Sequence, residues 1–129
     1  MINTRVSPSQ IALGIALAPI ATFWLLGQAA LADTLRTKDF RITITNNCPE
    51  GNVVCNNVTY RGVNVSTGAS IQLRGKTLHT LCADRVTPCR FVGYEFPNGA
   101  YRYVVTENGR LQIYQGNKLV LDQSGTWRR

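Results

Sequence analysis

Apolar and polar residues alternate with a period of two along most of the chain from residue 39 onward. In DFRITITN, Phe40, Ile42 and Ile44 fall on one side and Arg41, Thr43 and Thr45 on the other, the pattern of a half-buried strand. NVTYRGVNV sets Val58 and Tyr60 before Arg61-Gly62 and Val63 and Val65 after it, and SIQLRGKTLHTL repeats the arrangement around Arg74-Gly75. Both dipeptides read as turns. The stretch NGAYRYVVTENGRLQIYQGNKLVL then holds Asn98-Gly99, Asn108-Gly109 and Gly116-Asn117 at near-equal spacing, each a signal for a two-residue hairpin loop. β-Branched and aromatic residues fill the runs between, which favours pleated surfaces over helices. The predicted fold is all-β, a small antiparallel barrel or sandwich of about 7–8 short strands. Residues 33–38 read as a loose leader and Arg128-Arg129 as a loose tail.

Two-residue loops set a definite register for the carboxy-terminal meander. Phe96 then faces Tyr101, Glu95 faces Arg102, and Tyr94 faces Tyr103; further on, Tyr103 faces Tyr114, Tyr114 faces Leu119, and Ile113 faces Val120. Residues that are opposite, or two apart, share a face. One face therefore carries Val92, Tyr94, Phe96, Tyr101, Tyr103, Val105, Tyr114, Leu119 and Leu121, and the other Phe91, Glu95, Arg102, Val104, Thr106, Leu111, Ile113, Lys118 and Val120. The aromatic face reads as the core wall, with its hydroxyls at the rim, and the mixed face as the more exposed one. The alternative is an exposed row of Tyr94, Tyr103 and Tyr114 beside Arg110, able to stack on glycan rings or bases.

The amino-terminal segment breaks the pattern. Ile11–Leu26 is uncharged and mostly apolar, follows a short region containing Arg5, and is followed by Ala30-Leu31-Ala32. That is the grammar of a secretory signal peptide spanning residues 1–32, with residues 33–129 as one all-β domain. An uncleaved anchor is the rival reading. Export changes the meaning of the four cysteines, spaced as two C-x6-C pairs. An even count in a short exported chain predicts two disulfides, and six-residue gaps do not match the usual spacing of zinc ligands. Cys48, Cys55, Cys82 and Cys89 admit three pairings. CPEGNVVC and CADRVTPC each contain turn formers that bring their ends together, which favours Cys48–Cys55 and Cys82–Cys89, each closing a loop worth about 2.5 kcal/mol on the chain-entropy model.

Charge and candidate chemistry add little to this picture. The chain carries a net charge of +7, and loss of Arg5 with the leader lowers it to +6. Such a surface attracts polyanions, but the basic residues are dispersed along the sequence, as on an ordinary soluble surface. His79 is the single histidine and sits in a strand-like run, where it reads as structural. No G-x-S-x-G, metal-ligand or phosphate-loop pattern occurs, so no catalytic residue, metal or cofactor is expected. Asn57-Val58-Thr59 and Asn64-Val65-Ser66 match the glycosylation pattern and carry no functional weight.

GYEFPNGAYRYVVTENGRLQIYQGNKLVL, residues 93–121, resembles the latter half of the periplasmic C-type lysozyme inhibitors. The resemblance implies a small exported β-barrel whose loop enters a lysozyme cleft. The nearest match to that loop is Asn98, Gly99, Ala100, Tyr101 and Arg102, leading into Tyr103, without the family's loop serine. A net positive chain would be repelled by a strongly basic lysozyme unless its contact patch were locally acidic. The expected function is a non-enzymatic exported binding module of the cell envelope or extracellular space. Its partner would be an envelope polymer or an exported protein, with no nucleic acid and no membrane span after leader removal. The alternative is a proteinaceous inhibitor of a lysozyme-like glycan hydrolase.

Overall fold

The computed structural model describes residues Leu31–Arg129. Eight antiparallel strands, β1 (Leu31–Thr37), β2 (Phe40–Asn46), β3 (Val58–Asn64), β4 (Ser70–Leu81), β5 (Pro88–Asn98), β6 (Tyr101–Thr106), β7 (Arg110–Gln115) and β8 (Lys118–Arg128), run in sequence order around a closed barrel. The two disulfides are Cys48–Cys55 and Cys82–Cys89, with Cα atoms 5.8 and 5.1 Å apart. The first lies against the core, where Cys55 is buried; the second staples the exposed connection between β4 and β5. The segment read as a signal peptide, residues 1–32, lies outside the described residues except for Leu31 and Ala32, which pair with Asn46 and Thr45.

The alternation read from the sequence becomes the inside and outside of this barrel. Leu35, Ile42, Ile44, Val58, Tyr60, Phe96, Val105 and Leu111 are fully buried along its axis, each burial contributing roughly 1.5–3 kcal/mol. Tyr60 is the hub: its ring packs tilted on Phe96 at 5.2 Å and edge-on to Tyr103 at 5.5 Å. Burial drives the Tyr60 hydroxyl pKa upward, reinforced by neighbouring Tyr103.

Four expectations are corrected. Residues 33–38 are not a loose leader: β1 closes the barrel, with Leu35 paired to Ile42 on one side and Trp127 on the other. The tail is likewise ordered as far as Arg128, which pairs with Thr34. Arg61-Gly62 and Arg74-Gly75 are not turns but mid-strand positions. A Cβ on Gly62 would stand 2.7 Å from the Tyr60 hydroxyl, and one on Gly75 1.9 Å from the Glu95 carbonyl oxygen, so both glycines mark close approach rather than reversal.

The fourth correction concerns the meander register. Asn98 pairs with Tyr101, so the first loop is Gly99-Ala100, and Phe96 faces Tyr103 while Glu95 faces Val104. This two-residue displacement leaves the faces unchanged. The next hairpin does not. Gly109, at φ +94°, closes a three-residue loop, Glu107-Asn108-Gly109, and Tyr103 pairs with Ile113 rather than Tyr114. A one-residue change flips a strand, so Leu111 and Ile113 point inward and Tyr114 outward. A bulge at Ile113/Tyr114 then pairs Ile113 with Leu121 while Tyr114 keeps Leu119, which turns Leu119 out to solvent.

Candidate functional site

The aromatic row is not assembled. Tyr94 and Tyr103 belong to the interior face: Tyr94 stacks on Phe96 at 6.3 Å and meets Phe91 edge-on at 5.1 Å. Phe91, expected on the opposite face, is brought round by a register shift in the β4–β5 ladder. Burial raises the Tyr94 pKa, with Asp33 adding to the shift and Arg129 opposing it. Tyr114 and Arg110 lie on the outer face and are engaged separately. Arg102 lies over the Tyr114 ring at 4.6 Å, and Arg110 pairs with Asp122 at 2.9 Å, which raises the Arg110 pKa. The Asn98–Arg102 segment is brought together as the β5–β6 hairpin tip, where Gly99, Ala100 and Tyr101 are exposed. Glu95 and Arg102, expected to face each other, instead pair with Val104 and Pro97. Val104, on the face expected to be the more exposed, is buried.

His79 sits in the strand-like run where it was read, among interior side chains. Its Nε2 lies 2.9 Å from the Thr77 hydroxyl and its ring meets Phe91 edge-on at 5.8 Å. Its Nδ1 is buried without a partner. Among the described residues no group of three His, Cys, Asp or Glu side chains is placed to hold a metal ion.

A different surface is assembled by the register. On the outer wall of β1–β4, Arg36 stands directly opposite Arg41. Arg61 pairs with Thr43, the next outward position along β2, and Arg74 pairs with Thr59, the next outward position along β3. Each diagonal step spans about 8 Å, from strand spacing and rise. Lys76 follows Arg74 two residues along β4, so five cations cross four strands as one track. Up to Lys76, the remaining outward positions of these strands are Ala32, Thr34, Thr43, Thr45, Thr59, Val63, Ser70 and Gln72. No carboxylate and no aromatic ring is among them. The ion pairs among the described residues, Arg90–Glu107, Arg110–Asp122 and Arg129–Asp33, all lie elsewhere.

The track ends at a surface depression of about 490 Å³ lined by Asn56, Arg74, Gly75, Lys76, Glu95 and Pro97. Arg74 is steered by a hydrogen bond from its Nη1 to the Asn57 side-chain oxygen at 3.3 Å. Sequence reasoning missed this surface because its members are scattered over some forty positions. The Arg/Thr composition of the polar face of residues 41–45 and 59–61 was a partial signal; which strands adjoin was not readable. Comparison with protein-family models, curated proteins and solved structures gives no match to this chain.

Proposed function

We propose that this protein is a non-enzymatic, exported binding module that holds a polyanion of the cell envelope or extracellular space against the outer wall of β1–β4. The observation that carries the reading is the Arg36–Arg41 pair. Like charges directly opposite each other weaken a sheet, and neither guanidinium has a carboxylate within ion-pair distance among the described residues. A local rule broken without compensation is expected where function requires it, and an anion supplies the missing partner. Arg61, Arg74 and Lys76 extend the positive field along the same wall.

Titration of the protein with polyphosphate at increasing salt tests the reading. Released counterions make affinity fall steeply with salt, and removing Arg41 and Arg61 together should reduce the slope of log K against log salt by about 1.5. Binding that is flat with salt overturns it, as does the absence of binding at low salt to polyphosphate and acidic glycans alike.

A second reading is inhibition of a lysozyme-like hydrolase by the Asn98–Arg102 hairpin. Its support is the exposed tip, where Tyr101 keeps 41% of its surface accessible. Under this reading the protein slows lysozyme digestion of cell walls, and Tyr101→Ala abolishes the effect while leaving polyphosphate binding unchanged.

A further inference from the structure

We infer that the polymer held by this wall is an acidic polysaccharide, and that one of its anionic sugar units occupies the depression beside Arg74. The inference rests on the polyanion reading above and narrows it. Single-stranded nucleic acid is held by aromatic rings on which bases stack, and the outward positions of β1–β4 present none. What alternates with the arginines is threonine hydroxyl, which both donates and accepts and so matches a chain rich in hydroxyl groups.

The depression sharpens the case. Arg74 and Lys76 supply two cations, the guanidinium as a planar fork suited to a carboxylate or sulfate, and Asn56 offers an amide that donates and accepts. Pro97 adds an apolar edge, and the volume falls in the range of small-ligand sites. Glu95 is the discriminating residue. It is the register partner of Lys76, yet no ion pair joins them. Glu95 is the one acidic residue lining a depression that Arg74 and Lys76 also line. A bare phosphate chain is repelled by Glu95; a sugar donates hydroxyl protons to it. Glu95 therefore selects for an anion that carries hydroxyl groups.

The test is calorimetric titration of the purified, disulfide-intact protein with four probes: polygalacturonate, dextran sulfate, polyphosphate and oligo(dT). At matched charge concentration, at least one of the two glycans should bind about tenfold tighter than polyphosphate or oligo(dT), a difference of about 1.4 kcal/mol. Glu95→Gln should move the affinities in opposite directions, weakening the glycan severalfold and tightening polyphosphate. Asn56→Ala should weaken the glycan alone. Equal affinity for all four probes, with Glu95→Gln tightening every one, overturns the polysaccharide inference and leaves the polyanion reading standing. Glycan preference untouched by both substitutions overturns the placement in the depression. Failure of all four probes to bind overturns both readings.

Discussion

Asp84 holds the second disulfide loop in shape. Its carboxylate accepts hydrogen bonds from the Val86 and Thr87 amides at 2.9 Å each, and from the Thr87 hydroxyl. These bonds, the Thr87 hydroxyl first, lower its pKa from 3.8 to about 2. A depressed folded-state pKa means that the stabilisation is present above the unfolded value and is lost as pH falls through the folded one. Protection of the Val86 and Thr87 amides against hydrogen exchange should therefore fall between pH 3.8 and about 2, while protection in β2 and β3 does not change. Asp84→Asn should flatten that dependence. In the interior, Tyr103 tests what the tyrosines are for. Its ring is part of the packing around Tyr60, so Tyr103→Ala should cost about 3 kcal/mol, read as a large drop in the thermal unfolding midpoint. An unchanged midpoint with lost binding would mean that the ring serves a ligand instead.

At the scale of elements, the β6–β7 hairpin decides which way the end of the sheet faces. Gly109 combines a positive φ with contact: an added Cβ would lie 2.9 Å from the Gly125 carbonyl oxygen, and the Gly125 amide donates to the Gly109 carbonyl at 2.7 Å. Gly99 also has a positive φ, +60°, but open space around it. Gly109→Val should thus destabilise the protein by about 1–3 kcal/mol and Gly99→Ala by about 1 kcal/mol, measured by urea unfolding. A reversed order would mean that the loop conformation, not the contact with β8, is what matters. The Asn-Gly dipeptide announced a hairpin here but not its loop length, because a glycine at positive φ suits both two- and three-residue loops. That ambiguity of one residue moved Tyr114 and Arg110 away from Tyr94 and Tyr103.

At the scale of the whole molecule, closure depends on β1. Its pairs with β8 begin at Thr34 and run to Thr37 opposite Gly125, so a chain starting at Asp33 retains that entire ladder. Such a chain should melt within a few degrees of the longer one. A chain starting at Lys38 lacks Leu35 and leaves β2 and β8 as open edges, which invite pairing with other copies; it should aggregate or elute as a mixture on size exclusion. The basic wall, by contrast, is made by the consecutive pairing of β1 to β4. Arg36 becomes a neighbour of Arg41 only because β1 turns back on β2, and the track reaches Arg74 only because β3 and β4 continue the same antiparallel order.

What the chain determines locally is legible in its sequence. Alternation at Phe40, Ile42 and Ile44 places those side chains inside, turn formers within each cysteine segment bring Cys48 to Cys55 and Cys82 to Cys89, and glycines announce the last three hairpins. All are properties of a few neighbouring residues. Three features were decided by the tertiary structure. Residues 33–37 became a strand because β8 offered a partner more than eighty positions away. Gly62 and Gly75 became mid-strand contacts because Tyr60 and Glu95 approach them. Scattered arginines became one surface because strand order and register set them side by side. Each depends on how the strands pair and pack in three dimensions, which no short stretch of sequence specifies; only the first requires the barrel to close.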